Sequence, residues 1–377
     1  MNAKKMIMKS WMLALSALLL SACSGNKMKI SVTNPANVGR AAELVEIPLA
    51  EVEKRISLKE GQAYIVKKSC SEILSSQVTY DGKLIFPSGL DAGESTVFTI
   101  TTTGNGCLVE PPAQMVFGRF IQERKDDFAW ENDRVAFRIY GAALIATDGP
   151  SNGLDIWYKR TPDLVINKWY KNDLENGLSY HEDHGEGLDD YKVGRTLGAG
   201  AMAPYVNDTL WLNENFVSQE VLENGPLRVT FKLTYKDIEV NGKTFSESRT
   251  FSLDAGSQLT KVRQEYGTDT AIPVAAGIVK REAADPAIHN SDYLIYTEIG
   301  PNAGEAFVGL LFPDGISRVD NIDNHYLAVA DYQPNHPITY YTGYGWTKFG
   351  FAAVADFRQY MDNFSICLKN PLVITYK

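Results

Sequence analysis

The sequence predicts an all-β protein built as two unequal domains: a small N-terminal immunoglobulin-like β-sandwich, then a much larger antiparallel domain of two apposed sheets. Three observations lead there. Short alternating apolar runs recur along most of the chain, bounded by turn residues rather than by helix caps. A Gly- and Pro-rich stretch at 104–112 separates closely spaced short runs from widely spaced long ones. The 377 residues exceed one small domain, and 6 Trp, 19 Tyr and 16 Phe suit broad pleated surfaces.

In the first domain, placed at 28–112, extended segments are expected at 29–33, 44–47, 63–67, 77–80, 83–86 and 96–102. Asp81-Gly82 between two alternating runs is a hairpin signal, because both residues accept the positive φ of a tight turn. Short strands with turns this close read as a sandwich. Beyond the linker, 113–377 carries extended segments at 117–123, 135–140, 154–159, 209–212, 216–222, 227–240, 243–253, 259–266, 272–279 and 307–312. One short helix is expected at 162–170, and Asn241-Gly242 marks a second hairpin. No internal repeat of fixed period stands out.

Residues 1–22 read as a secretory leader: Lys4, Lys5 and Lys9 precede a short apolar core, and Leu20-Ser21-Ala22-Cys23 closes it. The apolar core is too short to span a membrane. A cysteine after Leu-Ser-Ala resembles a bacterial lipobox, which implies cleavage before Cys23 and its acylation, hence a lipoprotein of the cell envelope, periplasmic side or outer membrane, touching the membrane only through its anchor. Without the leader the chain keeps 34 basic against 46 acidic residues, a net charge of −12. So acidic a protein is a poor partner for nucleic acid, whose binding rests on phosphate neutralisation. Of Cys70, Cys107 and Cys367, one oxidised pair leaves one thiol over, with Cys70 and Cys107 the better pair.

The chemistry concentrates between Tyr180 and Ala203, where His181, His184, Glu186, Tyr191, Lys192 and Arg195 fall in a stretch without helical or strand period. Such a loop on a rigid scaffold is where binding and catalysis gather. Its glycines at 194, 198 and 200 match no nucleotide-binding motif. The spacing of His181, His184 and Glu186 permits a metal ion, although three such groups in a polar loop arise readily and no cofactor is expected. His325 is expected on a polar loop, solvated or over the pocket. The run 340–351 packs aromatics with glycines, and its rings serve equally as a sugar platform or as core.

The segments 124–134, 184–194 (His-Gly-Glu-Gly-Leu-Asp-Asp-Tyr-Lys-Val-Gly) and 344–348 (Tyr-Gly-Trp-Thr-Lys) resemble a family of Bacteroidetes envelope proteins from polysaccharide-utilisation systems. The family is catalogued as a domain of unknown function, and the likeness spans most of the mature chain. It implies that the second domain is a galactose-mutarotase-like β-supersandwich, a fold shared with several polysaccharide lyases, and it implies dehydration or exo-lysis at a uronic acid on the non-reducing end of an oligosaccharide.

That reaction removes the C5 proton beside a carboxylate whose charge must be offset. Arg195 is the first choice for the offset, then Lys192 or Lys348. His184 and His181 have the intrinsic range of a base, Tyr191 is a candidate acid with a nearby cation lowering its pKa, and Glu186 orients a histidine. Trp130, Tyr344 and Trp346 are candidate sugar-facing rings. The 181–195 stretch is therefore expected to line a basic-floored cavity. Alternatives are an aldose epimerase or mutarotase and a non-catalytic glycan-binding lipoprotein. A glycosidase is disfavoured for want of an isolated carboxylate pair beyond Glu186 and Asp189.

Overall fold

The computed structural model describes residues 27–41, 43–69, 72–103, 112–281, 286–322 and 324–377. The expected leader, the expected acylation site Cys23, the expected pair Cys70 and Cys107, and nearly all of the 104–112 linker lie outside these residues.

The chain is all-β. The first sandwich apposes a five-stranded sheet to the three-stranded sheet Leu44–Pro48, Lys83–Pro87 and Gln77–Val78. Strand Lys27–Thr33 alternates as written, with Met28, Ile30 and Val32 inward against Val45, Ile47, Phe86 and Phe98. The Asp81-Gly82 turn forms, with Gly82 at φ 77°. One boundary is corrected. The last strand, Val373–Tyr376, leaves the second domain and pairs antiparallel with Lys27–Thr33, Ile30 opposite Tyr376. A pairing across more than three hundred residues leaves no local mark in the sequence.

The second domain is a larger sandwich. One layer is an eight-stranded antiparallel sheet containing Arg228–Thr234, Glu247–Asp254, Leu259–Tyr266, Ile338–Trp346 and Gly304–Leu311. The other joins two five-stranded sheets through a parallel bridge between Leu154 and Gly198. Aromatic side chains fill the space between layers: Phe128 stacks on Phe231 at 3.9 Å between centroids, and Trp130 meets Phe137, Phe231 and Phe251 within 5.3 Å. Asn241 and Gly242 take φ 51° and 77° in a hairpin, but its arms Ile238–Val240 and Lys243–Phe245 form a separate ribbon instead of continuing the long flanking strands.

Two longer helices pack on the domain, besides the short turn of helix Ile145–Asp148. Ile166–Asn176 starts later than expected because the buried Glu131 carboxylate accepts the Val165 and Ile166 N–H groups, at 2.9 and 2.8 Å, and so fixes where the first turn begins. The 16-residue helix Val354–Lys369, unanticipated, packs Phe357 and Met361 on the eight-stranded sheet and leads into the final strand. No helix among the described residues is long and apolar enough to cross a membrane.

His325 lies in the core, 1% exposed, and is neither solvated nor over a pocket. Its Nε2 accepts the Leu197 N–H at 3.0 Å and its Nδ1 sits 2.7 Å from the Asn324 amide oxygen, so the neutral ring is pinned on both sides. Burial pulls its pKa down to about 4 from 6.5. Between those values the unfolded chain binds a proton that the folded chain refuses, so stability falls as pH drops through the window, by up to about 3 kcal/mol. Urea denaturation at pH 7 and pH 4.5 is expected to show less acid loss in His325→Gln than in the parent; equal loss in both would refute this assignment.

Candidate functional site

The sheet carrying Asp127–Asn132, Ala136–Ile139 and Asp155–Lys159 is covered on both faces, and all of its residues in these strands are buried. Register separates the faces. Phe128, Trp130, Phe137, Ile156 and Tyr158 join the inter-layer core, whereas Ala129, Arg138 and Asp155 align on the outer face, with Asp127, Glu131 and Lys159 along the same rows. Helix Ile166–Asn176 and the 177–191 loop close over that outer face. Trp157 stacks there against Trp169 and Tyr180, and meets Tyr170. Charges buried this way must be paired. Lys159 reaches Glu131 at 2.9 Å, and Arg138 collects the rest.

Arg138, 2% exposed, donates from Nε to Asp155 Oδ2 at 2.8 Å, and from Nη2 to Asp189 Oδ2 at 2.7 Å and the Tyr140 hydroxyl at 3.2 Å. Its guanidinium lies 4.8 Å from the Tyr140 ring centroid and 5.2 Å from that of Trp157. The Tyr140 hydroxyl donates to Asp155 Oδ2 at 3.2 Å. Beside this group Arg124 pairs with the buried Asp127 at 3.3 Å. Burial pushes Asp127 up to about 6 against the pull of Arg138 and Arg124, and burial likewise raises Asp155 against Arg138. Tyr140 is held well above the ordinary phenol range by burial.

The network reaches solvent through His181. Its Nδ1 is 3.0 Å from the Asp189 carbonyl oxygen and 3.6 Å from Asp189 Oδ2, its ring rests 4.6 Å from the Tyr180 ring, and its side chain is 58% exposed. A proton on Nδ1, facing that carbonyl, leaves the Nε2 lone pair outward. The loop is held in place by its own chemistry. Asp183 accepts the Gly185 and Gly187 N–H groups and pairs with Arg160 at 3.0 Å. At Gly187, with φ 120°, an added Cβ would stand 1.8 Å from the Tyr158 carbonyl oxygen, so only glycine lets the loop dock.

The residues expected to act together are dispersed. His184, exposed, places Nε2 3.0 Å from the Ser179 carbonyl. Glu186 orients no histidine; it pairs with Lys168 at 2.7 Å and accepts from Trp169 Nε1, tying loop to helix. Tyr191 is 4% exposed, beneath Arg281, and burial with nearby Glu298 raises its hydroxyl well above the usual range, opposite to the lowering by a cation that was expected. Lys192 is exposed and its carbonyl accepts from Arg281. Arg195 caps the Leu212 and Asn213 carbonyls, at 2.8 Å each, beside a separate hollow of about 320 Å³. The expected single basic-floored cavity under 181–195 is thus not formed.

The aromatic candidates are core. Trp130, Tyr344 and Trp346 are at most 1% exposed, and their polar atoms are spent on Thr260, the Trp157 carbonyl and the Ala303 carbonyl. Inter-layer packing claims large rings before a ligand can. Lys348 is exposed, its ammonium 5.4 Å from the Trp346 ring. Among the described residues no three His, Cys, Asp or Glu side chains gather to hold a metal ion, and His181, His184 and Glu186 find separate partners.

A family model matches residues 32–374, nearly the whole described chain. The chain belongs to the DUF4861 family. That family is described as a domain of unknown function. A relative from Formosa agariphila, uncharacterized protein P7, is 29% identical over 386 residues, spanning 96% of this chain and 97% of its own. Two solved structures from Enterococcus faecalis share the fold. A protein in glycosyl hydrolase family 38 superposes with a TM-score of 0.53 at 7% identity, over 93% of this chain and 47% of its own. An α-mannosidase does so with a TM-score of 0.52 at 8% identity, over 93% and 46%. This DUF4861 chain therefore spans about half the length of those structures, and at such identity the likeness is one of fold.

Arg138, Asp155, Asp127, Tyr140 and Arg124 lie outside the 180–203 loop, and their signal is in the strands. Charged residues at alternating positions inside strand-like runs, as in Asp127, Glu131, Arg138, Asp155 and Lys159, mark a polar face that must be covered. Asp127 gives a direct check. Its folded pKa stands above the 3.8 of the free side chain, so the folded chain gains protons that the unfolded chain lacks, and this contribution to stability is lost as pH rises from about 4 to about 6. Relative to Asp127→Asn, the parent is expected to lose up to about 3 kcal/mol across that interval in denaturant titrations. A pH-independent difference would refute it.

Proposed function

We propose that this protein is a carbohydrate-active enzyme, a carbon–oxygen lyase that eliminates across C4 and C5 of a uronic acid at the non-reducing end of an oligosaccharide. The observation that carries the reading is the Arg138 network: the buried Arg138, hydrogen-bonded to the half-buried Tyr140 phenol, shares Asp189 with the exposed His181, whose Nε2 has no partner among the described residues. Arg124, its side chain partly exposed and with Arg138 buried behind it, offsets the substrate carboxylate, so that charge developing at C5 is tolerated. His181 Nε2 takes the C5 proton, the C5–H electron pair becomes the C4=C5 bond, and the C4–O bond breaks. The departing oxygen takes a proton from the Tyr140 hydroxyl, which burial keeps protonated, and solvent restores it.

The family's neighbours in fold have names that concern hydrolysis, and hydrolysis of a glycosidic bond needs two carboxylates free to act across it. Here Asp127, Asp155 and Asp189 are all committed to Arg124 or Arg138, which favours elimination. The leader and the Leu-Ser-Ala-Cys sequence support placing the enzyme at the cell envelope on a lipid anchor.

A panel of oligosaccharides ended by glucuronate, iduronate or galacturonate is expected to yield, for at least one member, a new absorbance at about 232 nm from the unsaturated uronate. His181→Ala is expected to lower kcat by roughly 10²–10⁴-fold, and Tyr140→Phe to lower kcat with KM little changed. The parent protein giving no chromophore on any member would overturn the reading. Anomer exchange without unsaturation would assign a mutarotase, and binding without turnover a glycan-binding protein.

A further inference from the structure

A further hollow lies between the two sandwiches, lined by none of the residues of the Arg138 network or the 177–191 loop. Its volume is about 680 Å³, within the roughly 300–1,000 Å³ span of small-molecule sites. Its floor is the outer face of the eight-stranded sheet, where strand alternation sends short hydroxyl side chains outward: Thr230 opposite Ser252, with Thr250 two residues along. Tyr80, from the Asp81-Gly82 hairpin of the first sandwich, and the helix Val354–Lys369 wall it in. The returning C-terminal strand keeps those walls in register.

Most charges around this cleft are matched. Arg228 bridges Glu46 at 2.7 Å and Asp254, and Lys83 pairs with Glu46 at 2.6 Å. Lys261 is the exception. It sits on the floor with Ser252 and Tyr341 as cross-strand neighbours and, among the described residues, makes no hydrogen bond or ion pair. Burial, helped by Arg228 and Lys83, lowers its ammonium pKa, while Glu46 and Asp254 counter only in part. The Thr250 hydroxyl is also without a partner among the described residues. A cation that is exposed to the cleft and unpaired among the described residues, among hydroxyls and beside the flat Tyr341 ring, has the chemistry to hold a sugar that carries an anion.

We propose that the cleft between the sandwiches is a second saccharide site, separate from the Arg138 network, which binds a short acidic oligosaccharide without turning it over. The ligand carboxylate pairs with Lys261, ring hydroxyls meet Thr250 and Ser252, and a ring face lies on Tyr341. The inference does not rest on the elimination chemistry: it concerns binding, and it stands or falls whether or not any chromophore forms.

Titration calorimetry with a glucuronate-ended disaccharide, and with its neutral glucose-ended counterpart, tests it. The parent is expected to bind the acidic disaccharide more tightly. Lys261→Met keeps the apolar stem and removes the charge, and is expected to weaken the acidic disaccharide roughly 10- to 100-fold while the neutral one changes little. Thr250→Trp, on an outward-facing floor position, is expected to remove the cleft's binding of both disaccharides. In His181→Ala the Lys261-dependent binding is expected to persist. Circular dichroism melts identify a variant that has merely failed to fold, and protection of Lys261 from acetylation by the acidic disaccharide in the parent gives a reading without any variant. Equal affinity for the two disaccharides in the parent, unaltered preference in Lys261→Met, or no protection would overturn the proposal. Loss of turnover in a folded Lys261→Met would overturn the separation of the two sites.

Discussion

The constraint on which the second domain depends is that Arg138 is buried and must remain paired. An isolated guanidinium beneath a helix and a loop would be prohibitive, so the sheet supplies Asp155, the loop supplies Asp189, and Tyr140 with the Trp157 ring completes the enclosure. Removing one partner from such a group costs roughly 3–5 kcal/mol, because the remaining charge stays buried. The 177–191 loop is consequently fixed by electrostatics as much as by packing. That fixation holds His181 at the surface with one nitrogen engaged and the other free.

The same demand explains where the aromatic side chains went. A two-layered domain of this size needs large rings between its layers, and Trp130, Phe137, Phe231, Phe251, Tyr344 and Trp346 provide them. The outer face of the same strands is left with charge and with Trp157. Charge and apolar packing are thereby divided between two faces of one sheet, separated by a single residue step along each strand. A ring that looks like a sugar platform in sequence is, by this division, assigned to the interior whenever it falls on the inward row.

The two sandwiches are joined at both ends of the described chain. Val373–Tyr376 returns to pair with Lys27–Thr33, and Arg40, on the first sandwich, hydrogen-bonds to the Asn370 carbonyl after the last helix. Gln77 reaches across to the Leu227 and Arg228 backbone, and Glu223 to Tyr80. These connections make the intervening cleft a built feature with walls from three sources, and they place its one unmatched cation on a rigid floor.

Local sequence was sufficient for the all-β class, the two-sandwich division and the Asp81-Gly82 and Asn241-Gly242 turns, because alternation and positive-φ turn residues act over a few residues. It also sufficed to mark 180–203 as a polar stretch outside regular strand or helix periodicity, though not to say which of its side chains meet. Tertiary structure alone decided that His181 joins Arg138 while His184, Tyr191 and Arg195 go elsewhere, that Trp130, Tyr344 and Trp346 are core, and that the last strand closes the first sandwich. The physical reason is that a period of two reveals that a strand has two different faces but not what covers either one. Pairing between distant segments, and the desolvation it imposes on Arg138, Asp155 and Asp127, exists only once the layers have assembled.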